Sequence, residues 1–240
     1  MGKGAEPLAP SMTGDRLATG IASIDRLLGG GLESDAVTEL YGEGGSGKTL
    51  FCLDLAARVA RAGRWVFYVD TEGVSLERLR AVGGADLDRI LGHLLLSAPK
   101  DLEAQGRAVR TACALARGGH RDVGLLVLDS ATNFYRLSLS SPDEDDAREA
   151  LAVQVADLVA TSRGLGVPVL LTNQVWRNSR DGALEPLGGS FLNHAAKTIL
   201  RFERAEGPVR RVVLVKHRAR PEGAAAFRIT SAGLDSAVPG

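Results

Sequence analysis

Hydrophobic residues along the chain follow two alternating rhythms. Short apolar runs bounded by turn formers occur at Val37 to Tyr41, Trp65 to Asp70, Leu94 to Ser97, Leu125 to Asp129 and Val167 to Thr172. Runs of this length and makeup are those of strands buried on both faces. Between most of them, apolar positions recur with the helical period over Lys48 to Ala62, Ser75 to Val82, Asp101 to Arg117 and Asp145 to Arg163. Strands alternating with amphipathic helices predict an α/β fold, with a mostly parallel central sheet covered by helices on both faces. An earlier stripe of Ile21, Ile24, Leu27 and Leu28 predicts a further helix, which Gly29-Gly30-Gly31 ends. After Thr198 the rhythm becomes strand after strand, at Thr198 to Phe202, Val209 to Lys216 and Ala225 to Ile229. The simplest account is a C-terminal antiparallel extension of the same sheet. Residues 1–14, rich in Gly, Pro and Ala without a period, predict a disordered tail, and 15–236 a single domain.

Composition narrows the class without naming a partner. Lys plus Arg number 29 and Asp plus Glu number 29, so no global positive field points to nucleic acid, and any such contact must come from a local patch. Cys52 and Cys113 lie far apart in helical segments, which suits small core residues kept as reduced cytosolic thiols and predicts a cytoplasmic protein. The four histidines make no close pair with each other or with a cysteine, so no metal site built by side chains alone is expected. No apolar run approaches the roughly 20 residues of a membrane span, and no membrane partner is expected.

The strongest chemical signal is Gly42-Glu43-Gly44-Gly45-Ser46-Gly47-Lys48-Thr49, a G-x-x-x-x-G-K-[ST] motif between a predicted strand and a predicted helix. Glycines let the backbone curl so that its N–H groups converge on a phosphate, and the following helix offers its positive end to the same anion. Lys48 is expected to reach the β- and γ-phosphates of ATP, and the Thr49 hydroxyl to ligate Mg2+. Asp129, delivered to the carboxyl edge of the sheet by Leu125-Leu126-Val127-Leu128, is the candidate acid behind that ion, acting through water. Hydrolysis also needs a group to orient or deprotonate water, and Val69-Asp70-Thr71-Glu72-Gly73 offers Glu72 just beyond a strand end. Asp70 competes for that role, although its place inside the strand end suits a structural one. Thr172-Asn173-Gln174 ends another strand at the same edge, where the Gln174 amide can sense a γ-phosphate or simply close a turn.

Together these motifs resemble those of the RecA/RadA recombinase superfamily. The resemblance runs from Thr19 to about Ser236 and is carried by four pieces in order. They are Thr19-Gly20-Ile21 with Leu27 to Gly31, the glycine-rich loop, Tyr68-Val69-Asp70-Thr71-Glu72-Gly73, and Thr172-Asn173-Gln174-Val175. The resemblance implies a RecA-like ATPase core over residues 15–236, with Glu72 as catalytic base and Gln174 opening a second DNA-binding loop. It also implies that Arg78, in Leu76-Glu77-Arg78-Leu79, stacks on adenine. Lys216-His217-Arg218-Ala219-Arg220-Pro221-Glu222-Gly223 followed by Phe227-Arg228-Ile229-Thr230 is similar to the short archaeal paralogues within the superfamily. Short length agrees with them, as does a start directly at the ATPase core, without the N-terminal helix-hairpin-helix domain of full recombinases. Gly42-Glu43, by contrast, looks more like the loop of a full recombinase.

Where DNA could touch is legible in part. Trp176-Arg177-Asn178-Ser179-Arg180 follows Gln174, and a stacking ring (Trp176) with two phosphate-binding cations (Arg177 and Arg180) is what single-stranded DNA binding requires. From Lys197 to Arg220 there are eight Lys or Arg against two Glu, which predicts a basic face on the C-terminal strands. Asn133 to Glu149, where a first DNA loop would lie, instead carries Asp143, Glu144, Asp145, Asp146 and Glu149 against Arg136 and Arg148. That charge would repel a phosphate backbone. The reading is an ATP- and DNA-binding protein of repair and recombination with a weak ATPase. Its expected partners are single-stranded or branched DNA, a main recombinase or junction-processing enzyme, and a second copy of itself. Two alternatives stand beside it: a self-sufficient strand-exchange ATPase, and a RecA-fold signalling module with no DNA role.

Overall fold

Strand and helix alternate through the chain as the two rhythms require. The computed structural model describes residues 16–178, 182 and 184–236, so the tail expected over 1–14, and Arg180, lie outside the described residues. In chain order the elements are β1 (Arg16–Leu17), α1 (Ala22–Leu28), β2 (Leu32–Glu33), β3 (Val37–Tyr41), α2 (Lys48–Arg61), β4 (Trp65–Asp70) and α3 (Leu76–Gly83). There follow α4 (Leu87–Leu91), β5 (Leu94–Ser97), α5 (Leu102–Arg117), β6 (Val123–Asp129), α6 (Glu144–Leu165), β7 (Val169–Asn173), β8 (Val175–Arg177) and β9 (Leu184–Pro186). The last are α7 (Gly189–Ala195), β10 (Thr198–Arg204), β11 (Val209–Lys216), β12 (Gly223–Thr230) and β13 (Gly233–Ser236).

Among the described residues, nine strands form one sheet in the order β13-β12-β11-β10-β3-β7-β6-β4-β5. The run from β10 to β5 is parallel, and β11, β12 and β13 add to it antiparallel. This is the RecA-like α/β architecture with its C-terminal antiparallel extension. Alternation along each strand divides the core in two. Val66 and Tyr68 of β4 and Leu125 and Val127 of β6 join α1, α2 and the inner face of the C-terminal strands. Phe67 and Val69 with Leu126 and Leu128 pack instead under α5 and α6.

Several ends have local causes. The Ser75 hydroxyl accepts from the Arg78 amide (3.2 Å) and the Asp101 carboxylate from the Ala104 amide (2.6 Å), capping α3 and α5. β7 begins at Val169 rather than at the expected Val167, because Pro168 has no N–H to give a ladder. The stretch after Gln174, read from sequence as a loop, is a hairpin of β8 and β9 with Trp176 opposite Glu185. No helix among the described residues is long and apolar enough to cross a membrane. Both cysteines are buried free thiols.

Candidate functional site

The loop Gly42–Thr49 leaves β3, every residue of which is buried, and enters α2 at Lys48. Gly42 has φ 150°, and a Cβ there would lie 2.1 Å from the Phe202 carbonyl oxygen, so the loop turns directly against β10. The Lys48 ammonium folds back to donate to the carbonyls of Gly42 (2.6 Å) and Glu43 (3.1 Å). Burial pushes its pKa down, and the negative charges of Glu72 and Asp129 partly offset this. The Ser46 hydroxyl is buried without a hydrogen-bond partner.

Two arginines that sequence reasoning did not single out flank the same loop. The Arg204 guanidinium fills the space where a Gly45 side chain would project, and Arg210 Nε donates to the Gly45 carbonyl at 3.2 Å. The only sequence signal for them was the excess of cations after Lys197.

Asp129 ends β6 at 1% exposure. Its Oδ1 accepts from the hydroxyls of Thr49 (3.3 Å) and Thr172 (2.5 Å), and its Oδ2 from Tyr68 (2.6 Å). Desolvation raises its pKa, the Thr172 and Tyr68 hydrogen bonds pull it back, and the Glu72 charge adds to the rise. Tyr68 and Thr172 were not foreseen as members of this site, because their residue types carry no ligand signature. The Thr49 hydroxyl thus lies against the Asp129 carboxylate at the start of α2.

Asp70 and Glu72 divide their tasks clearly. Asp70 Oδ1 accepts from the backbone amides of Glu72 (3.1 Å) and Gly73 (2.8 Å), and Oδ2 from that of Val74 (2.6 Å). Both oxygens are thereby committed to shaping the turn that presents Glu72. The exposed Glu72 carboxylate accepts from Gln174 Nε2 at 2.7 Å, and that amide also lies 3.4 Å from Asn133 Oδ1. Asn133 Nδ2 donates to the Thr71 carbonyl at 2.7 Å, so the ends of β4, β6 and β7 are tied together. The Asp129–Ser130 peptide bond at this edge is cis.

The structure therefore gathers Lys48, Thr49, Glu72, Asp129 and Gln174 at one sheet edge. Arg78 is engaged elsewhere, its guanidinium donating to the carbonyls of Thr230 (3.1 Å) and Ser231 (3.4 Å) at the turn between β12 and β13. Trp176 is 46% exposed on the hairpin. Beside it, Arg177 donates to the Gly182 carbonyl (3.0 Å) and to Glu43 of the glycine-rich loop (3.2 Å).

Of the cations between Lys197 and Arg220, where a basic face is expected, three are paired with acids and a fourth with backbone carbonyls. Arg201 and Arg211 share Glu203, and Arg218 pairs with Glu33 and Asp35. Lys216 turns onto the carbonyls of Asn193 and Ala196. Strand pairing brought acceptors to these four cations, which a count along the sequence does not register.

The Thr49 hydroxyl and the Asp129 carboxylate are the hard oxygen donors that Mg2+ prefers. A curled glycine backbone, the Lys48 ammonium and the unpartnered Ser46 hydroxyl suit a polyphosphate. The residues present therefore fit a magnesium–triphosphate group.

Comparison with known proteins agrees with this architecture. The Rad51 family model matches residues 15–237. The "DNA repair and recombination protein RadB" of Methanoculleus marisnigri is 41% identical over 227 residues, covering 93% of this chain and 99% of that protein. The protein of the same name from Halobacterium salinarum is 40% identical over 229 residues, covering 92% and 95%, and that from Thermoplasma acidophilum 39% over 221, covering 91% and 93%. On a family match that spans nearly the whole chain, with relatives this similar along their full lengths, the chain belongs to the Rad51 family.

Proposed function

We propose that this chain is an ATP- and DNA-binding protein of DNA repair and homologous recombination. In this reading it has a slow ATPase and assists or regulates a main recombinase or a junction-processing enzyme. Members of the Rad51/RecA family bind ATP with Mg2+, and the relatives are named for DNA repair and recombination. The observation that carries the reading is the 2.7 Å hydrogen bond from Gln174 to Glu72. It puts the group best placed to orient water in contact with the residue that opens the Trp176-Arg177 hairpin.

In this reading the loop amides and Lys48 hold the β- and γ-phosphates, and Thr49 with Asp129, the latter through water, hold Mg2+. Bound there, the ion neutralises charge developing on the phosphate oxygens. Glu72 orients or deprotonates the attacking water and Gln174 holds Glu72. Trp176 stacks on bases while Arg177 and Arg180 meet phosphates. Tyr68 and Thr172 fix the direction of Asp129.

An accessory role is favoured over independent strand exchange by the acidic stretch that follows Asn133. Gln174 touches Asn133, so the acids at the start of α6 (Glu144, Asp145 and Asp146) belong to a segment that begins at this same edge. The complete set of Lys48, Thr49, Glu72, Asp129 and Gln174 is what supports the second reading, a self-sufficient DNA-stimulated recombinase.

ATPase assays with and without single-stranded DNA, combined with binding assays across salt, decide among the readings. Slow turnover that DNA does not stimulate, with Trp176→Ala costing about 1–3 kcal/mol of single-strand affinity, is expected. Arg177→Ala should lower the slope of log affinity against log salt by up to about 0.7. Strong stimulation by DNA favours the recombinase, and no DNA binding at all leaves a RecA-fold signalling module.

A further inference from the structure

Glu39 stands in the middle of β3 at 0% exposure, three residues before the glycine-rich loop. Burying a carboxyl in a sheet of apolar residues is expensive, so its presence calls for a task that a leucine could not perform. Its Oε1 accepts from Asn173 Nδ2 at 2.7 Å, while its Oε2 has no hydrogen-bond partner. Desolvation raises its pKa, against the pull of the Asn173 hydrogen bond and the Lys216 charge.

Asn173 is fully used. Its Nδ2 also donates to the Leu187 carbonyl at 2.7 Å, and its Oδ1 accepts from the Thr132 hydroxyl at 2.8 Å. Those partners close the neck of the β8–β9 hairpin. The Leu187 amide donates to the Gln174 carbonyl at 2.9 Å, and the Gln174 amide to Thr132 Oγ1 at 3.1 Å. The residue whose side chain meets Glu72 is thus the next one along from the amide that Glu39 holds.

We propose that Glu39 is a positioning residue, which through Asn173 fastens the hairpin neck to the strand feeding the glycine-rich loop and so sets Gln174 against Glu72. It forms a second link between the phosphate loop and the hairpin, beside the Arg177–Glu43 pair and separate from the Gln174–Glu72 contact. This role rests on the reading of Glu72 and Gln174 as the hydrolytic pair.

The test compares Glu39→Ala, Glu39→Gln and Asn173→Ala in the full chain. Glu39→Ala should lower kcat for ATP about 10- to 100-fold through misplacement of Gln174, with KM for ATP nearly unchanged. Glu39→Gln keeps the Oε1 acceptor and should stay within about threefold of wild type. Should Glu39→Ala fail to fold, Asn173→Ala removes the same link while leaving β3 intact, and the same loss of kcat is expected. A folded Glu39→Ala or Asn173→Ala protein with wild-type kcat overturns the proposal, as does a Glu39→Gln protein as impaired as Glu39→Ala. Hydrogen exchange at the Gln174 and Leu187 amides reads the neck without ATP or DNA and separates the two ways of failing. If the neck opens in Glu39→Ala while Glu72→Gln hydrolyses ATP normally, the hydrolytic reading falls and the link survives. If the neck stays closed, the link falls.

Discussion

Asp70 spends both carboxylate oxygens on three backbone amides, and the turn so formed holds Glu72 out towards Gln174. A side chain presented in this way is exposed and contributes little to packing. If Glu72 is the base, as proposed, Glu72→Gln keeps the shape and removes it, so ATP affinity should hold while turnover falls by roughly 10²-fold or more. Titration with a fluorescent ATP analogue beside single-turnover hydrolysis checks both halves, and equal turnover in mutant and wild type rejects the assignment. Arg177 matters at the same scale, since its ion pair with Glu43 joins hairpin to loop. Both partners are more than half exposed, so the pair itself contributes little stability.

The element that organises the site is the unit of β3, loop and α2. The loop's first residue tolerates no side chain, because Gly42 sits at φ 150° with the Phe202 carbonyl where a Cβ would go. Gly42→Ala should therefore cost about 1–3 kcal/mol of stability through strained backbone, and more if β10 must move. Urea unfolding measures it, and an unchanged midpoint would show that the loop does not lean on β10 as described. The same unit is tied to the far end of the sheet. Asp54 of α2 accepts from the Leu234 amide of β13 at 3.3 Å and pairs with Arg58, so the antiparallel extension is anchored to the helix that follows the loop.

For the molecule as a whole, a ligand that binds only the folded state stabilises it by mass action. Magnesium and ATP at about 100 times their dissociation constant should add about 2.7 kcal/mol, which for a chain of this size raises Tm by about 5–10 °C. Lys48→Ala removes the only side-chain ammonium in the loop and should abolish that rise while leaving the melt cooperative. A full thermal shift in a folded Lys48→Ala protein would exclude Lys48 from phosphate binding.

Much of this was legible before any fold was known. Local periodicity predicted the long strands and helices, and a contiguous eight-residue motif marked the glycine-rich loop. Acidic residues at strand ends pointed to Asp129 and Glu72, because chemistry in a parallel sheet gathers at its carboxyl edge. What no local pattern specifies is strand order. Asp129 meets Thr172 across 43 residues and Tyr68 across 61, and Asn173 meets Glu39 across 134. These partners became neighbours because β7 lies between β3 and β6, and β6 between β7 and β4. Arg204 and Arg210 reached Gly45 for the same reason, as β10 pairs with β3 and β11 with β10. The sequence by itself determined the elements and the chemistry each carries to its end; the tertiary structure alone decided which ends meet, since that depends on how two buried faces pack over the whole sheet.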